Sequence, residues 1–168
     1  MPKVSVVIPA YNAMIYLPET LESVLKQTFT DFEVLIVNDG SSDRILEWIS
    51  QIKDPRVKLI SQENQGTAVA RNQGIVNTTG EYIAFLDADD IWEETKLEKQ
   101  VNCLISNPTV GLVDTWVAII DEHGNPTGRI RSHDVEGDVF KKVFEACDSP
   151  ICCGSSPMIR RSCFETIG

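Results

Sequence analysis

The chain has 168 residues, of which 42% are hydrophobic, 24% charged and only 7% aromatic, a globular composition that excludes a disordered or fibrous protein. Fifteen Lys and Arg against 25 Asp and Glu leave a formal charge of −10. That balance excludes a diffuse field attracting nucleic acid or anionic lipid, so a phosphate-bearing ligand would need local help.

One domain spanning 1–168 is expected, with no linker, internal repeat or low-complexity tract. Lys3 runs directly into Val4 to Ile8 without the long apolar core or small-residue cleavage site of a leader peptide, so this segment reads as a first strand. Its near-continuous apolar character suits a central strand covered on both faces. Leu17, Leu21, Val24 and Leu25 follow at helical spacing, with Pro18 tolerated in the first turn. Phe32 to Val37 is a second strand. Ile45, Leu46 and Ile49 mark a short helix, with Ser42 and Asp43 before it reading as caps. Val57 to Ile60 is a third strand, Gly66 to Val76 a helix, and Glu81 to Leu86 a fourth strand. Leu97, Val101, Leu104 and Ile105 form the stripe of a longer helix that ends before Pro108. Strict alternation of strand and helix predicts an α/β fold with a mainly parallel sheet.

Past Pro108 the alternation stops. Val110 to Ile120 reads as one long strand, His123 to Pro126 as its turn and Arg129 to Arg131 as a return strand. Val139, Phe140, Val143, Phe144 and Cys147 recur at helical spacing, and Ser155 to Ile159 reads as a return to the sheet. The longest apolar runs, such as Tyr82 to Leu86 and Trp116 to Ile120, fall well short of the roughly 18 residues of a membrane span, so no transmembrane segment is expected. Five cysteines cannot all pair, and no C-x-x-C or Cys/His spacing suggests zinc; a cytoplasmic, reducing location fits. Cys152 and Cys153 read as small buried hydrophobes ahead of a redox pair.

In open α/β sheets ligands bind beyond the carboxyl ends of the strands. There the sequence carries Pro9-Ala10-Tyr11-Asn12, Asn38-Asp39-Gly40-Ser41-Ser42-Asp43 and Asp87-Ala88-Asp89-Asp90. Neither G-x-G-x-x-G nor G-x-x-x-x-G-K-[ST] occurs, which disfavours dinucleotide dehydrogenases and P-loop enzymes. A cleft lined by Asp39, Asp87 and Asp89 would repel a diphosphate unless a divalent cation intervened, and carboxylate plus phosphate is how Mg²⁺ or Mn²⁺ is commonly held. Blander readings stand beside each residue: Asp39 as an ordinary turn aspartate, Tyr11 as a half-buried core aromatic, Arg71 as a solvated helix charge. Asp90, three residues before Glu93, reads as an N-capping residue of the next helix. His123 and His133 read as surface residues.

VSVVIPAYN (4–12), VLIVNDGSSD (34–43), the run carrying Asn64, Gly66, Ala70, Arg71, Asn72 and Gly74, and GEYIAFLDADD (80–90) resemble, in order, the motifs of family 2 glycosyltransferases. The resemblance implies the GT-A fold, a Rossmann-like α/β/α sandwich with a nucleotide-sugar-binding half at 1–108 and the start of an acceptor half at 109–168. It further implies that Tyr11 stacks on the nucleobase, with Pro9 and Ala10 shaping its loop, and that Asp39 binds the base edge. Arg71 approaches the nucleotide, with Asn64 and Gly66 shaping its position. Asp87 and Asp89, flanking Ala88, match the family's D-x-D, with Asp87 toward the ribose and Asp89 as direct ligand of Mn²⁺ or Mg²⁺. The implied activity is metal-dependent, inverting transfer from a nucleotide diphospho-sugar, a UDP- or dTDP-sugar in the usual case, to an acceptor hydroxyl on a glycan, a lipid-linked molecule or a small molecule. The site of action is cytoplasmic, including the cytoplasmic face of a membrane. The family's general base belongs to a later Glu-Asp motif that no residue of 1–168 matches, so the base is expected beyond Gly168, in a chain truncated before that motif. Alternatives are a non-catalytic nucleotide-sugar-binding fragment, a sugar-nucleotide pyrophosphorylase, which should carry a glycine-rich basic N-terminal loop, and a phosphoacceptor signalling domain, which should carry a Lys at a later strand end.

Overall fold

The computed structural model describes residues 1–132, 135–137 and 152–167. The helical pattern of Val139 to Cys147, together with His133, lies outside the described residues. So does Gly168.

Strands β1 (Val4–Ala10), β2 (Phe32–Asp39), β3 (Val57–Gln62) and β4 (Tyr82–Phe85) alternate with helices α1 (Leu17–Leu25), α2 (Ile45–Ile49) and α3 (Thr67–Asn77), and α4 (Lys96–Ser106) follows β4. Four parallel strands pair in the order β3-β2-β1-β4, and β8 (Met158–Arg160) continues the sheet antiparallel to β4, with β5 (Leu112–Val113) at the edge. Because strand side chains alternate, β1 divides its residues between two cores. Val4, Val6 and Ile8 join Phe32, Val34, Ile36, Tyr82 and Ala84 under the apolar stripes of α1, α2 and α4. Val7 joins Leu35, Val37, Ile83 and Phe85 under α3, where Ala70 is fully buried, and under Phe164 of α5 (Arg161–Ile167). Helices on both faces of a mainly parallel sheet are the expected α/β/α arrangement.

At the amino ends of the strands, Glu33 is buried and accepts hydrogen bonds from Ser5 Oγ (2.7 Å), Lys58 Nζ (2.7 Å) and the Thr79 N–H (2.8 Å). It thereby ties β1, β2, β3 and the entry to β4 together. Burial alone would raise its pKa, but these donors outweigh that effect and hold the carboxyl at about 2.

Two expectations change. The long strand from Val110 to Ile120 is broken into β5 and β6 (Val117–Ile120), which belong to different sheets. The physical reason lies between them: Asp114 Oδ2 accepts the Cys152 N–H (2.8 Å), so this stretch leaves the ladder to hold the returning chain. The return strand, β7 (Pro126–Arg131), starts earlier than expected, since Pro126 is tolerated as a first strand residue while Asp121 closes the turn by accepting the N–H groups of His123 and Asn125.

Candidate functional site

The strand order reverses at β1 and β4, so the crevice for a ligand lies where the carboxyl ends of these strands separate. Pairing of β1 with β4 stops at Val7 opposite Phe85. Pro9, on the same side of β1 as Val7, has no N–H to extend that ladder, which leaves the strands open at this end. Pro9 and Ala10 are buried as the last residues of β1, and Tyr11 stands immediately beyond them, 54% exposed. Tyr11 is therefore no core aromatic.

Side-chain hydrogen bonds fasten the loops along this edge to one another. Asn12 accepts from the N–H and hydroxyl of Ser42, and its own N–H donates to Ser41 Oγ (3.0 Å), joining the loops after β1 and β2. Ser42 thus braces this junction instead of capping α2. Asp43 does meet the Ile45 N–H (3.3 Å) in the manner of a cap, and its other oxygen accepts the Met14 N–H (2.9 Å). Asp39 is buried at the end of β2, where its carboxylate accepts the N–H groups of Gln65 (2.9 Å) and Gly66 (2.8 Å) and the Gln62 amide (2.7 Å). Burial raises its pKa, but the three donors overcome this and keep it below the ordinary aspartate value. Asp39 consequently fixes the loop that starts α3. Asn64 is exposed on that loop, and its backbone presses on Gly40, where a Cβ would come within 2.7 Å of the Asn64 nitrogen. Gly40 also has a φ of +73°, so glycine is required there on two counts.

Arg71, from the first half of α3, reaches Asp87 beyond β4 with Nη2 to Oδ1 at 2.5 Å. Neither side chain is more than about a third exposed, so Arg71 is not a solvated helix charge. Ala88 is buried in the core with its carbonyl accepting the Thr20 hydroxyl (2.8 Å), which pins the middle of the D-x-D. Asp89, on the other side of it, is exposed and accepts no hydrogen bond among the described residues.

Asp90 does not cap α4, which begins later, with Thr95 at the cap position. Instead Asp90 accepts the Ser155 hydroxyl, and its pKa is raised mainly by burial and further by the charges of Asp89 and Asp87, against the Ser155 hydrogen bond. A cleft of about 490 Å³ adjoins it, bordered by Trp92, Lys96, Trp116, Ala118 and Ser155. Lys96 is almost wholly buried, and burial drives its pKa down to about 7 despite the nearby Asp114 carboxylate. Sequence reasoning did not single out Lys96, Gly154 or Ser155 for the site, and it gave Asn12 no role of its own. Ser155 begins the stretch expected to return to the sheet, but its contacts with Asp87 and Asp90 depend on a chain that comes back from 65 or more residues away.

No set of three or more His, Cys, Asp or Glu side chains among the described residues is arranged to enclose a metal ion. Those residues still offer oxygen donors: one free carboxylate, Asp89, beside a second, Asp87, already paired with Arg71. Oxygen donors of this kind suit a hard divalent cation such as Mn²⁺ or Mg²⁺.

Among known proteins the chain is similar to an uncharacterized glycosyltransferase of Rickettsia bellii, 42% identical over 146 residues that make up 86% of this chain and 21% of the relative. It is 41% identical over 105 residues to the Escherichia coli UDP-Glc:alpha-D-GlcNAc-diphosphoundecaprenol beta-1,3-glucosyltransferase WfgD, covering 62% of this chain and 42% of that protein. Among solved structures, the mannosyltransferase PcManGT from Pyrobaculum calidifontis, in complex with GDP-Man and Mn²⁺, superposes with a TM-score of 0.72 at 25% identity, over 99% of this chain and 47% of that one. The shared architecture is the GT-A fold, and the chain spans from a fifth to about half the length of these proteins. The family model of Glycosyl transferase family 2 matches residues 5–168, nearly the whole chain, and on that match this protein belongs to the family.

Proposed function

We infer that these residues form the donor-binding part of a metal-dependent, inverting glycosyltransferase that moves a sugar from a nucleotide diphospho-sugar to an acceptor hydroxyl. The observation that carries this reading is the pairing of unlike carboxylates at the β1/β4 opening: Asp87 neutralised by Arg71, Asp89 exposed and without a partner among the described residues. In this reading Tyr11 offers its exposed ring to the base, and Asp39, which also holds the Gln65–Gly66 loop, binds the base edge. Asp87 faces the ribose, and Asp89 holds Mn²⁺ or Mg²⁺ with the diphosphate. When bound, such a cation offsets the charge that develops on the departing diphosphate.

A UDP- or dTDP-sugar is the proposed donor, in keeping with the UDP-Glc named for the E. coli relative, although the Pyrobaculum protein holds GDP-Man. The cleft beside Asp90, Trp92 and Trp116 offers room for the acceptor. No general base is assigned among the described residues. A cytoplasmic site of action completes the proposal; among the described residues no helix is long and apolar enough to cross a membrane.

The test is calorimetric titration with UDP, dTDP and GDP, each with Mn²⁺ and with chelator. Tighter binding of UDP or dTDP with the metal supports the reading. Equal affinities with and without it overturn the role given to the D-x-D.

A further inference from the structure

The turn from Cys153 to Ser156 comes from the far end of the chain, yet it is built into the donor edge. Ser155 is 4% exposed. Its hydroxyl accepts the Asp87 N–H (2.9 Å) and donates to Asp90 Oδ2, so one side chain bridges both ends of the Asp87-Ala88-Asp89-Asp90 turn. The turn is itself held from α4 and the segment before it. The Ser155 carbonyl accepts the Trp92 indole N–H (2.8 Å), and the Ser156 carbonyl accepts the Gln100 amide (2.8 Å). Lys96 fixes both of these donors, lying with its ammonium 4.1 Å from the Trp92 ring centroid and donating to Gln100 Oε1 at 2.7 Å.

Gly154 lies against the Arg71–Asp87 pair. A Cβ at this position would stand 2.9 Å from Asp87 Oδ2 and closer still to Arg71 Nη2, so any larger residue must push the pair apart or lift the turn. Arg71 Nε is buried with no hydrogen-bond partner among the described residues. A guanidinium free to choose would satisfy that donor, because a buried unpaired N–H is costly; its orientation is imposed by what packs around it.

We propose that Gly154 and Ser155 are positioning residues that latch the Asp87–Asp90 turn and the Arg71–Asp87 pair, so that the second half of the chain sets the donor affinity of the first. The proposal rests on the donor-site reading. It assigns the two residues no contact with the nucleotide; they act through Asp87, Arg71 and the turn that presents Asp89.

Two measurements test it, with Val101→Ala, a buried position on α4, as the control for simple loss of stability. The first is the gain in UDP affinity on replacing chelator with Mn²⁺. Ser155→Ala should lose about tenfold of that gain, the weight of one or two hydrogen bonds to the turn, whereas Val101→Ala keeps it in full. The second needs no ligand: the coupling between Arg71 and Asp87 in urea unfolding, from Arg71→Gln and Asp87→Asn singly and together, measured with Gly154 present and in Gly154→Ala. The coupling should fall by at least half in Gly154→Ala. A full metal-dependent gain in Ser155→Ala, or an unchanged coupling in Gly154→Ala, overturns the latch. If the unsubstituted protein binds UDP equally with and without Mn²⁺, the donor reading fails, and the coupling alone then decides whether the latch exists.

Discussion

Replacing Tyr11 with Ala separates binding from folding. The ring is 54% exposed and makes no hydrogen bond among the described residues, so the fold loses only part of an aromatic side chain's packing. We expect a cost of about 1 kcal/mol, or roughly 2 to 4 °C in the thermal midpoint for a chain of this length. Stacking of a base on an aromatic ring is worth about 1 to 3 kcal/mol by truncation. The dissociation constant for UDP should therefore rise about 5- to 150-fold in a protein that remains folded. Phe85→Ala supplies the contrast. That ring is 7% exposed and meets Phe164 edge-on at 6.2 Å, so its removal should cost about 3 to 5 kcal/mol of stability. Calorimetry with UDP and Mn²⁺, beside thermal unfolding of the same samples, gives both quantities. Tyr11→Ala binding UDP within twofold of the unsubstituted protein would refute the stacking role, as would a midpoint lowered as far as in Phe85→Ala.

Asp89→Asn should abolish most of the difference in UDP affinity between Mn²⁺ and chelator while leaving the unfolding midpoint nearly unchanged, because Asp89 supports nothing else among the described residues; a persistent metal effect in titrations would assign the cation elsewhere. Glu33, held at about 2 against an ordinary 4.5, should contribute about 3 kcal/mol that is fully present above pH 4.5 and lost as the pH falls toward 2. Urea unfolding from pH 6 to pH 2 should accordingly be steeper in the unsubstituted protein than in Glu33→Gln, and parallel curves would contradict the network. Lys96, with its pKa lowered to about 7 by burial, binds fewer protons when folded than unfolded between pH 7 and 10.5. Stability from this group therefore rises with pH in that window, and Lys96→Met should flatten the rise seen in unfolding midpoints.

The first four strands and their helices were legible in the sequence because each carries its own period: continuous apolar runs for strands buried on both faces, and Leu17, Leu21 and Val24 or Leu97, Val101 and Leu104 for one-sided helices. The polar clusters after β1, β2 and β4 were legible for a related reason, since a parallel sheet brings all its carboxyl ends to one edge whatever the loops do. The stretch after Pro108 was harder to read. Val110 to Ile120 is apolar enough for one strand, and nothing local reports that Asp114 will be drawn to the N–H of Cys152.

The sequence by itself determined the α/β fold, the family, and which residues gather at the carboxyl edge of the sheet, because periodicity and motif order are local properties of the chain. Tertiary structure decided what those residues are free to do. Asp39 is engaged by Gln62, Gln65 and Gly66, Asp87 by Arg71, and Asp90 by a serine 65 positions away, which leaves Asp89 as the open carboxylate of the D-x-D. Four aspartates identical in a sequence differ in chemistry through burial and the donors they meet, and long-range packing alone supplies both.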